Sequence, residues 1–192
     1  MRMHWSLSAL YCLIAVSTAI GQGTCPAKIP NEFKIDLVRL GTDEVIDRGV
    51  KVKRVYGDIG INNQNFGRFY ENPMVMIPEG SYTGNLRYQS NHNFVLSRCG
   101  VATREGDFLI EVNGVKDAGG KTRADILFHP GALPSNSQGC VLFGARKKDP
   151  DGGLLPLDSD YPLVKVRQAF YGTDDPKECP NKVITITVKG SH

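Results

Sequence analysis

Beyond its first residues, the chain lacks any apolar run of the roughly 18 residues that a membrane-spanning helix needs. It also lacks an excess of one charge, because 23 Lys and Arg are balanced by 20 Asp and Glu among its 192 residues, for a formal net charge of +3. A short basic run at 48–54 is typical of a solvated strand face. These absences argue against a membrane anchor and against nucleic acid as a partner.

One apolar segment stands at the N-terminus, where Arg2 precedes an apolar run of about ten residues that is followed by small residues. This pattern predicts a signal peptide over 1–21, with cleavage near 19–23. The run is too short to span a bilayer, so we expect a secreted, extracellular protein. The remaining chain, 25–192, is long enough for a single domain with a sizeable core and short for two.

Cysteine is scarce, and one of the five lies within the predicted signal peptide. The mature chain keeps Cys25, Cys99, Cys140 and Cys179. An even number of cysteines in a secreted chain predicts two disulfides, with three connectivities that the sequence leaves open. A bridge between Cys25 and Cys179 is favoured, since it joins the two ends of the mature chain and closes a long loop.

Short alternating segments separated by turn residues make up most of the chain. Apolar and polar residues alternate over 33–40 and 49–57, and the turn residues 47–49 between them predict a hairpin. Residues 58–73 carry Gly, Asn and Pro without a period, which predicts a long surface loop or lid. The pattern predicts a mainly β, single-domain sandwich or barrel-like sheet with one helix in the C-terminal half, at 161–170. Further strands are predicted at 74–77, 81–88, 93–98, 107–112, 124–128, 140–143 and 182–190.

The stretch 124–144 combines a histidine and a cysteine across a loop rich in Pro, Gly and Ser. His129 follows one predicted strand and Cys140 begins the next, eleven residues later, so the loop can bring imidazole and sulfur together. Only the thiolate is a good nucleophile, and a neighbouring imidazole can take the thiol proton. Gly139 leaves room for a substrate carbonyl, and nearby amides are candidate oxyanion-hole donors. The pair therefore predicts acyl transfer through a thioester.

The same residues carry a family resemblance. His129 followed by SQGC at 137–140, at the start of an apolar strand, resembles the signature of L,D-transpeptidase catalytic domains of the YkuD type. The segment IPEGSY at 77–82 is similar to a turn that precedes this signature in those domains. The span from about 33 to 170 looks closest to an uncharacterised bacterial and phage relative of that superfamily.

The resemblance implies a β-rich fold with a cysteine nucleophile that acts on peptide stems of peptidoglycan, by transpeptidation or hydrolysis. It assigns Cys140 as the nucleophile, His129 as its base, Gly139 as the oxyanion-hole neighbour and Ser137 as a supporting residue. Asp125, four positions before His129, is a weaker candidate partner for the imidazole, on the same face of a regular strand. No cofactor or metal site is predicted.

A second hypothesis gives these residues a structural role. Cys140 can pair with Cys99 in a disulfide, in which case no thiolate exists. The chain would then be a non-catalytic extracellular binding or matrix protein on the same scaffold. The expected partner is accordingly either a peptidoglycan-type peptide substrate or an extracellular matrix component. His92, an interior histidine without acidic residues at ligand spacing, is expected to be a solvated loop residue.

Overall fold

A computed structural model describes most of the chain between Asn31 and Gly190. The predicted signal peptide, the predicted strand at 93–98 and His92 lie outside the described residues. So do three of the four cysteines expected in the mature chain, which leaves the predicted disulfide between Cys25 and Cys179 a prediction. The described residues are 31–87, 109–145, 147–148, 150–152, 159–173 and 182–190.

Eight strands form one sheet, in the spatial order β5-β4-β8-β1-β2-β3-β7-β6. An additional bridge between Glu111 in β5 and Leu127, just before β6, links the two edge strands and nearly closes the sheet. This arrangement confirms the prediction of a mainly β, barrel-like fold with one helix in the C-terminal half. The elements are β1 (Asn31–Asp47), β2 (Val50–Ile61), β3 (Gln64–Glu71), β4 (Gly80–Leu86), β5 (Ile110–Asn113), β6 (Phe128–His129), β7 (Val141–Leu142), α1 (Pro162–Tyr171) and β8 (Lys182–Lys189).

The predicted first hairpin is confirmed and is longer than expected. In β1, Phe33, Ile35 and Leu37 are buried while the residues between them are more exposed, as the alternating pattern requires. The turn to β2 places Arg48 at φ 53° and Gly49 at φ 83°. Two successive positive φ angles are typical of the tight turns whose twist matches that of paired strands.

The prediction of a long loop or lid over 58–73 is wrong, because these residues form the second hairpin of the sheet. β2 continues to Ile61 and β3 begins at Gln64. Asn62 and Asn63 form the turn, with φ of 49° and 67°, in a conformation that asparagine tolerates better than most residues. Asn62 and Asn63 are thus the turn of a hairpin, and Gly60, Asn65 and Gly67 lie in its paired strands.

The strands predicted after residue 73 are found in part. Strands β4, β7 and β8 occur where predicted, whereas β5 begins later than predicted and β6 is reduced to two residues. Residues 74–77 form a turn and an extended connection, so the predicted strand there is wrong. Met74 is 86% exposed and only Ile77 is buried, so this apolar run has no face to pair against the core.

Helix α1, in the C-terminal half of the chain, packs against the core through Leu163, Val166 and Phe170 and confirms the predicted helix. Pro162 occupies its first turn and Gly172, at φ 75°, ends it. Tyr161 precedes the helix without a capping hydrogen bond from its side chain. Phe170 packs edge-on against Phe33 of β1, with ring centroids 5.2 Å apart. No helix in the described part of the chain combines the length and apolar character needed to cross a membrane.

A buried ion pair ties strand β1 to strand β3 inside this core. Arg39 donates through Nε to Glu71 Oε2 at 2.7 Å and through Nη2 to Oε1 at 3.1 Å, and both side chains are 1% exposed. Arg39 also donates to the carbonyls of Ile77 and Gly190, and the Ile77 amide donates to Glu71. The pair therefore connects β1, the segment 71–77 and Gly190, which follows β8.

Candidate active site around Cys140

Strands β6 and β7 bring His129 and Cys140 to the same cavity. The two strands are parallel, with Phe128 opposite Val141 and His129 opposite Leu142. Cys140 directly precedes β7, and its sulfur contacts the backbone of Asp125 and Leu127, in the segment just before β6. Both residues line a cavity of about 740 Å³, together with Ser137 and residues 121–127. The two residues thus share a cavity, and their pairing as nucleophile and base stays a prediction.

The loop between His129 and Cys140 is held against the first hairpin, β1 and β2, by side-chain hydrogen bonds. Ser135 donates from its amide and its hydroxyl to the Asp47 carboxylate, each at 2.7 Å. The bond from the Ser135 hydroxyl, and after it the bond from the Ser135 amide, hold the pKa of Asp47 below its usual value. Arg54 donates to the carbonyl of Ala132 at 2.8 Å while binding both oxygens of Asp43. The loop is thus anchored to β1 and β2.

Further bonds fix the second half of this loop. The Asn72 side-chain amide donates to the carbonyls of Pro134 and Ser137, both at 3.2 Å. The side-chain oxygen of Asn136 accepts the amides of Ala132 and Leu133 at 3.2 and 3.0 Å. Pro134–Asn136 forms a single 3₁₀ turn. Because these contacts come from the sheet and from within the loop, the approach to Cys140 is preorganised.

The imidazole of His129 is buried, at 7% exposure, and its orientation is set by the backbone. Nδ1 lies 2.7 Å from the carbonyl oxygen of Pro130. A carbonyl can only accept, so Nδ1 carries the proton when the ring is neutral. The lone pair then resides on Nε2, which makes Nε2 the nitrogen that can take a proton from a thiol.

The thiol of Cys140 is free and partly accessible, and it is the one cysteine among the described residues. Its sulfur donates to the carbonyl of Asp125 and accepts the amide of Leu127, each at 3.4 Å. Burial raises the pKa of the Cys140 thiol above its ordinary value, and the Leu127 amide and Arg123 oppose that rise. The resting group is therefore a neutral thiol rather than a preformed thiolate.

Ser137 and Gly139 shape the turn that leads into Cys140. The Ser137 hydroxyl donates to the Cys140 carbonyl at 2.8 Å and accepts the Gly139 amide at 2.9 Å. Ser137 thus shapes the turn, and its predicted supporting role in catalysis stays a prediction. Because the Gly139 amide is used within the turn, Gly139 contributes to the site through its backbone conformation, at φ 116°.

Two charged residues of the cavity lining, Arg123 and Asp125, make contacts that the sequence does not predict. Arg123 lies over the Gly139 backbone and donates to the carbonyls of Val75 at 2.9 Å and Gln138 at 2.6 Å. Asp125, considered above as a partner for the imidazole, instead pairs with Arg87 at 2.5 Å. Asp125 has φ 56°, so regular strand alternation does not extend back from His129 to this residue. Contacts across the fold, invisible in local patterns, produce both arrangements.

A Gly139→Ala substitution is expected to destabilise the protein by about 2 kcal/mol or more and to slow any reaction of Cys140. A Cβ at this position would lie 2.6 Å from Cζ of Arg123 and 2.7 Å from the carbonyl oxygen of Val75, at a φ that alanine rarely adopts. Urea unfolding gives the loss of stability, and Cys140 alkylation gives the change at the site.

Gly114→Ala is the matched control, because Gly114 also has a positive φ, at 79°, but has no atoms within 4 Å of the added Cβ. It should cost only the backbone term, about 1 kcal/mol. Equal losses for the two variants would contradict the close packing described at Gly139.

The described fold and cavity define a mainly β protein with a free cysteine and a buried histidine lining one site. Comparison with known proteins found no matching family model, curated protein or solved structure. The resemblance to L,D-transpeptidase domains thus stays an expectation from the sequence. Within the described residues, no group of three or more His, Cys, Asp or Glu is placed to hold a metal ion.

Proposed function

We propose that the protein is a cysteine acyl-transferase or hydrolase that acts on peptidoglycan-type stem peptides through Cys140 and His129. The observation that carries the proposal is the placement of a free thiol and a buried imidazole of defined tautomer in one cavity. The sequence resemblance supplies the substrate class. Secretion, predicted from the N-terminal segment, would bring the enzyme to a cell-wall substrate.

In the first step, Nε2 of His129 takes the proton of the Cys140 thiol as the sulfur attacks a peptide carbonyl carbon. The new C–S bond gives a tetrahedral oxyanion. This intermediate collapses to a thioester, the C–N bond breaks and the imidazolium returns the proton to the leaving amine. The Pro130 carbonyl holds the ring throughout, because its bond to Nδ1 is compatible with both the neutral and the protonated imidazole.

In the second step, an amine or a water molecule attacks the thioester. His129 takes the proton of this acceptor and passes it to the departing sulfur, which restores the thiol. An amine acceptor gives transpeptidation and water gives hydrolysis. The two reactions share the acyl-enzyme and differ only in the acceptor that reaches the cavity.

A neutral resting thiol suits this mechanism. The raised pKa of Cys140 means that the free thiol ionises little near pH 7, so proton transfer to His129 accompanies substrate attack. Such a site protects an exported cysteine from indiscriminate alkylation and oxidation. A disulfide-locked scaffold, the alternative hypothesis, derives no support from the free state of Cys140.

The proposal is tested by incubating the mature protein with synthetic stem peptides, with and without an amine acceptor, and following products by mass spectrometry. His129→Gln should reduce turnover by roughly 10²- to 10⁴-fold, because it removes the general base while keeping a polar side chain. The His129→Gln variant must retain the wild-type melting temperature within a few degrees for this comparison. Wild-type turnover that His129→Gln leaves unchanged would refute the assigned role of His129.

A further inference from the structure

We propose that Arg123 is a positioning residue for the Cys140 nucleophile, one that fixes the backbone at 138–140 and favours the thiolate once the proton leaves. The inference rests on the proposed role of Cys140 and extends it to a residue outside the predicted motif. Arg123 stands on the segment that follows β5, far in sequence from the Ser137–Cys140 turn.

The Arg123 side chain connects two separate backbone segments by hydrogen bonds. One guanidinium nitrogen donates to the Gln138 carbonyl at 2.6 Å and the other to the Val75 carbonyl at 2.9 Å. The planar fork thus ties the turn before Cys140 to the connection that follows β3. It lies so close to Gly139 that an added Cβ would collide with it, which explains why glycine suits this position. A flexible ammonium cannot reproduce two such directed bonds.

The charges around Cys140 make this cation the relevant one. The cavity lining contains His129, Asp117, Lys121, Arg123 and Asp125 as its titratable or charged side chains. Asp125 opposes thiolate formation, but its carboxylate is paired with Arg87. Asp117 accepts the amides of Gly119 and Lys121 within its own turn. Arg123 is the member of this set whose charge favours the thiolate of Cys140 and which also holds the adjacent backbone.

The experiment measures the alkylation rate of Cys140 by iodoacetamide, a neutral probe, between pH 6 and 11, with the modified peptide quantified by mass spectrometry. In Arg123→Gln the midpoint should move to higher pH by about half a unit to one unit. The rate at pH 8 should fall roughly three- to tenfold, because the thiolate fraction at fixed pH falls with each upward step in pKa. Arg123→Lys keeps the charge but cannot make both directed bonds, so its midpoint should lie between those of the wild type and Arg123→Gln.

Arg68→Gln is the matched control, since it removes the same charge from an exposed arginine that stacks over Tyr56 and does not line the cavity. Its profile should match the wild type. An unchanged profile in folded Arg123→Gln, or a midpoint in Arg123→Lys shifted as far as in Arg123→Gln, would overturn the proposal. Should Arg123→Gln not fold, Arg123→Met replaces it, since it keeps the length of the stem and removes the charge, and it should show the same upward shift of the midpoint. The assay needs no substrate, so its result is independent of whether stem peptides are turned over.

Discussion

Replacing Cys140 with alanine is expected to reduce stem-peptide turnover by at least about 10³-fold while leaving the fold in place. The loss is large because the proposed reaction passes through a thioester on this sulfur, and the alanine methyl group cannot form that bond. The loss of stability is small because the contacts of the thiol with Asp125 and Leu127 are both long, at 3.4 Å. We expect a melting temperature within a few degrees of the wild type.

The same variant separates the catalytic hypothesis from the structural one. If Cys140 were part of a disulfide, its removal would destabilise the protein by about 2–5 kcal/mol. If Cys140 is the nucleophile, its removal abolishes the activity and leaves the stability nearly unchanged. A Cys140→Ala protein that melts like the wild type and retains its turnover would eliminate Cys140 from the mechanism.

Removal of one partner of the Arg39–Glu71 pair is expected to cause the largest loss of stability, about 3–5 kcal/mol for Glu71→Ala. The substitution leaves the Arg39 guanidinium buried without its counter-charge, since both side chains are 1% exposed. For a chain of this size the loss corresponds to roughly 6–20 °C in melting temperature. Thermal and urea unfolding measure the effect directly.

An apolar double variant, Arg39→Met with Glu71→Leu, provides the sharper comparison. It removes both charges together and should be less destabilised than Glu71→Ala, because no unpaired charge remains inside. Glu44→Ala is the surface control, because the Lys51–Glu44 pair has side chains that are 66% and 52% exposed, and it should cost at most about 1 kcal/mol. Similar losses for Glu44→Ala and Glu71→Ala would contradict the buried character of the core pair.

Local patterns predicted those parts of the fold in which one strand face is buried along its length. The buried alternation of β1 and the apolar spacing of α1 are encoded in neighbouring residues, so their positions could be predicted. The second hairpin is not evident from the sequence, because Asn62 and Asn63 and the nearby glycines are equally typical of a loop. The apolar segment 74–77 resembles a strand in its composition, but hydrophobicity without alternation does not show which side is covered.

The candidate site likewise contains residues that the sequence predicts and residues that it does not. His129 and Cys140 could be predicted because the short loop between two apolar segments limits where their side chains can lie. Arg123 and the Arg39–Glu71 pair could not, because their contacts join residues 15 to 48 positions apart and depend on the closed sheet. The raised pKa of Cys140 also depends on burial in the folded chain, which the motif alone does not encode.

The most direct test of the central claim is the intact mass of the mature protein during turnover of a stem peptide, followed by mapping of any adduct. We predict an added acyl group in thioester linkage on Cys140, sensitive to hydroxylamine, absent from Cys140→Ala and discharged when an amine acceptor or water completes the reaction. Product formation without any adduct on Cys140, at the same rate in wild type and Cys140→Ala, would contradict the account.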